Sequence, residues 1–250
     1  MINLGKRTIL SASAGVLLCM SQQVFAAPPG ELPFGVYDPN GAFADDPDVK
    51  IEHLFLPWED VFLPSLYEAD DYAFERGRSV LVTIEPWTWT RSERNTPEVL
   101  QAGIEAGEYD GNMDAICSIL NEFKSPVTVR WGHEMEDESG QFIWANWKPE
   151  TYIRAYRRMT DVCRAAAPEV DLMWSPLGYE SLEDYFPGKN YVDVIGLSVF
   201  GLQPWEKDIL GEEQSFRDIL LPRYERALQF DLPIVIAEVG YSGDPAYVEK

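Results

Sequence analysis

The feature that most constrains this chain is an alternation. Short runs of β-branched and aliphatic residues fall at 34–37, 51–56, 80–84, 127–130, 172–175, 194–199 and 234–237, and helical patterns separate most of them. The runs carry little polar alternation, which is the composition of strands buried on both faces. Strand and helix in turn build βα units around a parallel sheet. The expected fold is therefore α/β, a (β/α)8 TIM-type barrel, with seven strands readable in the sequence.

The helical stretches are punctuated. Ser65 can cap a helix ending at Gly77, and Thr96-Pro97 supplies a cap followed by proline in the first turn. Asn112 can open a helix holding Ile116, Ile119 and Leu120. Pro149 opens another, in which Ile153, Tyr156, Met159, Val162, Cys163 and Ala166 recur at helical spacing until Pro168. Ser215 starts a further helix that Pro222 should kink or divide. Asp244-Pro245 looks like a cap and first turn, yet the sequence stops at Lys250, before an eighth strand. An unclosed barrel leaves strand edges exposed, so a barrel cut short after strand seven, a piece of a longer protein, is expected.

Residues 1–26 read as a signal peptide. Lys6 and Arg7 precede an uncharged stretch, and Val24-Phe25-Ala26 offers the small residues of a cleavage site. The apolar run is too short for a membrane span, and Leu18 before Cys19 argues against a lipoprotein. Residues 27–250 would then form one catalytic barrel, secreted or periplasmic. The formal charge is −22, and every acidic residue lies beyond Ala26. Such a charge repels nucleic acid, anionic membranes and acidic polysaccharides, and leaves neutral carbohydrate open as a partner; it also serves solubility. Cys117 and Cys163 fall on the apolar faces of consecutive helices, as two buried thiols or one disulfide. Buried thiols are the expectation, because packing alone accounts for them.

Two glutamates carry the chemistry. Glu134 lies in Val127-Thr-Val-Arg-Trp-Gly-His-Glu-Met135 and Glu238 in Pro233-Ile-Val-Ile-Ala-Glu-Val-Gly240, each just past a strand run. In a barrel of parallel strands all C-terminal ends open on one rim, so the two side chains can meet there. Two facing carboxyls are the minimal equipment for cleaving a glycosidic bond. Either glutamate alone would read as a solvated strand end or half of an ion pair.

Further blocks extend the pattern: Arg130-Trp-Gly-His-Glu-Met135, Phe142-Ile-Trp144, Trp174-Ser-Pro176, Tyr185-Phe-Pro-Gly188, Tyr191-Val-Asp-Val-Ile-Gly196 and Ala237-Glu-Val-Gly240. In order and spacing they resemble glycoside hydrolase family 26, most strongly from Val127 to Gly240. That family holds β-mannanases, β-1,3-1,4-glucanases and a few β-xylanases. The resemblance implies a retaining mechanism with Glu134 as acid/base and Glu238 as nucleophile. Carboxyls that close cannot both ionise freely, so Glu238 is expected ionised and Glu134 protonated.

The resemblance also implies that His133 lies beside the sugar at the cleavage point and that Trp144 stacks on a sugar, with Trp174 as a wall of the site. Trp87, Trp89, Trp131, Trp147 and Trp205 also fall in or near loops on the strand C-terminal side, where about half of these tryptophans should pack internally. Arg130 is expected to point into the barrel mouth and to orient Glu238, or to form a structural ion pair. A metal is not expected: Asp137 stands four after His133, so His-Glu-x-x-His is absent. No cofactor is expected either. Phe200 stands where the family usually has a tyrosine that bonds the nucleophile, and Glu136-Asp-Glu-Ser-Gly140 replaces a short Asn-Gly turn.

The reading that follows is a secreted retaining endo-β-glycanase acting on β-mannan or mixed-linkage β-glucan. A non-catalytic polysaccharide-binding or exopolysaccharide-biosynthesis-associated protein on the same barrel is the alternative.

Overall fold

The structure, a computed structural model, describes residues 33–91 and 93–249. The expected signal peptide lies outside them. All seven expected strands form, and they make one parallel sheet in the order β1 (Phe34–Val36), β2 (Val49–Pro57), β3 (Ser79–Glu85), β6 (Val127–Trp131), β7 (Asp171–Trp174), β8 (Val194–Leu202) and β9 (Ile234–Ser242). Sequence neighbours are spatial neighbours throughout, as right-handed βα winding requires. A small antiparallel hairpin, β4 (Trp89–Thr90) with β5 (Glu93–Arg94), sits on the loop after β3 and was not anticipated.

The helices are α1 (Ser65–Glu75), α2 (Pro97–Ala106), α3 (Asp110–Leu120), α4 (Pro149–Ala166), α5 (Gln203–Trp205), α6 (Phe216–Ala227) and α7 (Pro245–Val248). Ser215 caps α6 in a reciprocal box with Asp218, and α6 runs through Pro222 undivided. Asp244 caps α7 through its side chain. Ser65 lies inside α1 instead of capping it, and its hydroxyl donates to the Phe62 carbonyl. In α4 the fully buried positions are Tyr152, Ala155, Tyr156, Met159, Thr160 and Cys163, so the inner face is rotated slightly from the apolar set expected.

The core lies between strands and helices. Val80, Val82 and Ile84 of β3 and Val127 and Val129 of β6 face outward into it, against Leu100, Ile104, Met113, Ile116 and Met159. Alternation then turns Thr83 and Glu85 of β3 and Arg130 of β6 to the inner side of the sheet. One expectation is corrected here: Cys117 and Cys163 are joined, tying α3 to α4 across a Cα–Cα distance of 5.3 Å. Packing alone explains two buried thiols, but facing helices brought their backbones within bonding reach, a distance that sequence spacing does not encode.

Candidate active site

The inner side of the sheet is polar at one level, and Arg130 organises it. Its guanidinium is fully buried. Nε donates to Ser175 Oγ at 2.8 Å, Nη1 to Thr83 Oγ1 at 3.2 Å and to Glu238 Oε1 at 2.5 Å, and Nη2 to Ser198 Oγ at 3.2 Å. Those partners come from β3, the end of β7, β8 and β9. One arginine therefore ties four strands together, and only one of these partners is charged.

Glu238 reaches this position through a break in register. Leu197 pairs with Ile236, but the next pair is Ser198 with Glu238, so Ala237 is the extra residue of a bulge. Strict alternation would put residues 236 and 238 on one face; the bulge turns Glu238 inward with Ser198. Gly196 makes room for it, since a Cβ there would lie 2.8 Å from that of Ala237 and 2.4 Å from Met173 Sδ.

Glu134 arrives by a different route. Beyond β6 the chain leaves the strand through Gly132 and Glu134, both with φ of 55°. A left-handed glutamate costs about 1–3 kcal/mol and persists only when its surroundings hold it. Here Glu134 N donates to Ser175 O at 2.8 Å, Asp137 N to Glu134 O at 3.0 Å, and Tyr152 Oη on α4 to Gly132 O at 3.1 Å. The strain aims the side chain inward.

The result is a compact triad. Ligand-type atoms of His133, Glu134 and Glu238 all lie within 4.8 Å of one another. Burial raises the Glu134 carboxyl above the ordinary glutamate value; the Ser198 hydroxyl opposes this and the charge of Glu238 adds to it. Burial also holds His133 neutral well below the usual histidine value, with Arg130 and then His53 adding to the effect. His53 hydrogen-bonds Thr83 Oγ1 at 2.8 Å and is pushed down to about 3 by burial and then Arg130. The triad has the donor types for a divalent cation, but the Arg130 guanidinium already pairs with Glu238 and so weakens the attraction of that carboxylate for such an ion.

The aromatic expectations need correction. Trp144 and Trp174 are fully buried. Trp144 stacks on Phe142 at 4.6 Å, meets Trp87 edge-on, and donates from Nε1 to His133 O at 2.7 Å. It offers no free face for a sugar and instead braces the loop that carries Glu134. Trp174 packs edge-on against Phe186 and Phe230. Trp87, Trp131 and Trp147 are buried too, whereas Trp205 is exposed. Motif position locates a loop but not which side of it faces solvent. Phe200 is exposed, and its ring lies over Gly240, two residues past Glu238 on the inner face.

Sequence reasoning missed Glu85. It ends β3 one residue past Ile84, the same placement that singled out Glu238 after Ala237, and applying that rule to every run would have found it.

A parallel barrel-type sheet with two carboxyls converging on its C-terminal rim defines the class of α/β-barrel glycoside hydrolases. Residues 83–220 match glycosyl hydrolase family 26, and the chain belongs to that family. It is 26% identical over 154 residues to the β-1,3-xylanase TXYA of a Vibrio species, covering 57% of this chain and 32% of the relative. It is 25% identical over 208 residues to endoglucanase H of Acetivibrio thermocellus, covering 76% and 21%. The match thus spans about a third or less of these relatives' length. Among solved structures, a family 26 β-mannanase from Bacteroides ovatus superposes with a TM-score of 0.59 at 20% identity, covering 78% of this chain and 63% of that one. A modular endo-β-1,4-mannanase from Cellulomonas fimi gives 0.62 at 18%, covering 77% and 49%. These likenesses establish the barrel fold.

Proposed function

We propose that the chain is an exported endo-β-glycanase that cleaves a neutral β-linked polysaccharide with retention, Glu134 serving as acid/base and Glu238 as nucleophile. The observation that carries this reading is the approach of the two carboxyls to within 4.8 Å. Retaining enzymes hold their carboxyls ~5–5.5 Å apart, whereas inverting enzymes leave ~6.5–9.5 Å for a water. Glu238, oriented by Arg130, attacks the anomeric carbon. Glu134 holds its proton to higher pH than an ordinary glutamate and delivers it to the leaving oxygen. It then takes a proton from the water that releases the glycosyl-enzyme.

Relatives named for β-1,3-xylan, glucan and mannan substrates define the panel to test. β-Mannan and mixed-linkage β-glucan lead it, and the charge of −22 disfavours acidic polymers. Export is supported by the Cys117–Cys163 disulfide, a bond that persists in oxidising compartments; the mature chain should begin at Ala27 by N-terminal sequencing.

The test is hydrolysis of β-mannan, mixed-linkage glucan and β-1,3-xylan by the parent, Glu134→Ala and Glu238→Ala, with NMR of the first-formed anomer. Each variant should lose about 10²-fold or more, and the product should keep the β configuration. An α product, or a variant retaining most of the parent's rate, overturns the mechanism. A parent that binds polymer without releasing sugar points to the binding alternative.

A further inference from the structure

A third carboxyl belongs to the same opening. Glu85 closes β3 on the inward-facing set, two residues beyond the Thr83 whose hydroxyl receives Arg130. Alternation therefore stacks Glu85 one level above the polar layer, at the rim. It is half-buried. The Trp87 indole and the charges of Arg94, Glu238 and Arg130 all act on its carboxyl. The surroundings are built to hold it. Trp58 N and Trp87 N both donate to the Glu85 carbonyl, at 3.1 and 2.8 Å. The unanticipated hairpin then brings the Arg94 guanidinium over the Trp87 ring at 3.2 Å. Glu59 fixes the hairpin's base by accepting from Trp89 N at 2.9 Å.

Nothing in the cleavage scheme uses this group, since acid/base and nucleophile are already supplied. Nor does it behave as a structural ion pair: Arg94 stacks on Trp87 instead of bridging to Glu85, whereas the fold's buried pair, Arg78 with Glu52, is in direct contact. A carboxylate offers roughly four acceptor positions, more than the Trp87 indole can fill, and Glu85 carries them at the end of β3, within reach of the Glu238 charge. The natural complement of an acceptor-only group in such a place is a sugar hydroxyl.

Resting on the family-level reading above, we propose that Glu85 is a substrate-binding residue of this site. It accepts hydrogen bonds from hydroxyls of the sugar beside Glu238 and so takes part in choosing among neutral β-linked sugars. The Trp87–Arg94 pair holds its carboxylate in place, which makes the hairpin a specificity element.

The experiment compares the parent with Glu85→Gln and Glu85→Ala on the same three polymers, alongside melting temperatures. It adds the affinity of a Glu134→Gln background, with and without Glu85→Gln, for an oligosaccharide of whichever polymer the parent hydrolyses. A hydrogen bond to a charged acceptor predicts a fall in kcat/KM of about 10- to 100-fold for Glu85→Ala, less for Glu85→Gln, which keeps one acceptor. Oligosaccharide affinity should fall in parallel, with melting temperature nearly unchanged. Both variants retaining kcat/KM and affinity within about twofold of the parent overturns the assignment while the family reading stands. Losses that track melting temperature, with affinity intact, overturn it as well. A parent inactive on all three polymers removes the family-level activity, and the assignment of Glu85 with it.

Discussion

The two ends of the sheet each bury an arginine against a glutamate, and they use the pair differently. At the N-terminal end Arg78, just before β3, contacts Glu52 of β2, and its Nη2 donates to the carbonyls of Phe43, Ala44 and Asp46 at 2.9–3.2 Å. Both side chains are almost inaccessible, so the pair clamps the 43–46 loop to the barrel bottom. At the C-terminal end Arg130 is equally buried, but its neutral partners are hydroxyls and its glutamate is 21% exposed. The same ionic contact is a closed clamp below and an open, addressable carboxylate above. That division is the one parallel barrels generally make, stability at one face and chemistry at the other.

Exchanging each arginine for methionine separates the two roles by the largest effects. Arg130→Met should lower kcat/KM by about 10²-fold or more by releasing Glu238 from its orientation, which steady-state kinetics on the hydrolysed polymer measures. Arg78→Met leaves Glu52 buried without its partner and should cost roughly 3–5 kcal/mol of stability, with kcat per folded molecule unchanged. Denaturant unfolding paired with active-site titration separates the two. If Arg78→Met lowers kcat as strongly as Arg130→Met does, the division of labour is not real.

As a fully buried brace beneath His133, Trp144 should show its loss in stability, about 3–5 kcal/mol for Trp144→Ala. A sugar platform would show a raised KM in a chain of parental stability, and that result would restore the role expected from the motif.

What the sequence could and could not say follows the same divide. The seven strands were legible because strands buried on both faces leave unbroken apolar runs. The hairpin at 89–94 has strands of two residues, too short to show a period. Glu134 and Glu238 were legible as strand-end acids, but the devices that aim them were not. The Ala237 bulge looks like any other alanine, and the left-handed Glu134 is held by Ser175, a partner 41 residues away. The burial of Trp144 and Trp174 and the joining of Cys117 to Cys163 likewise depend on which helix faces which loop, which is settled only in three dimensions.

A third glutamate is held by backbone donors. Glu136 accepts from Leu177 N at 2.6 Å and from Gly178 N and Tyr179 N at 3.1 Å, stitching the loop after β7 to the loop that carries Glu134. Burial nevertheless pushes its carboxyl up to about 7. A raised carboxyl favours the fold while neutral, so this contribution is complete below about 4.5 and is lost as pH climbs towards 7, by roughly 3 kcal/mol. Glu136→Gln cannot ionise, but it sets an NH2 against one of the three donors, at a cost of about 1–3 kcal/mol. The variant should therefore be clearly less stable than the parent at pH 5 and close to it at pH 8, by urea unfolding. A deficit that grows with pH would contradict the assignment.

The smallest effect tests the coupling across the mouth itself. Glu134 is raised first by burial, and the negative charge of Glu238 adds to that. Glu238→Gln removes the like charge while keeping the side chain's size, and it leaves Arg130 without its carboxylate partner, free to favour the charged form of Glu134. Both changes act in one direction, so the Glu134 midpoint followed by carboxyl 13C NMR should move down. It should remain above the ordinary glutamate value, because burial is untouched. Glu52 of the lower pair is not among the groups whose charge acts on Glu134, so Glu52→Gln should leave the Glu134 titration where it was. A midpoint that stays fixed or rises in Glu238→Gln means that the two carboxyls do not sense each other. Cooperation between an acid and a nucleophile could not then be built on their proximity alone.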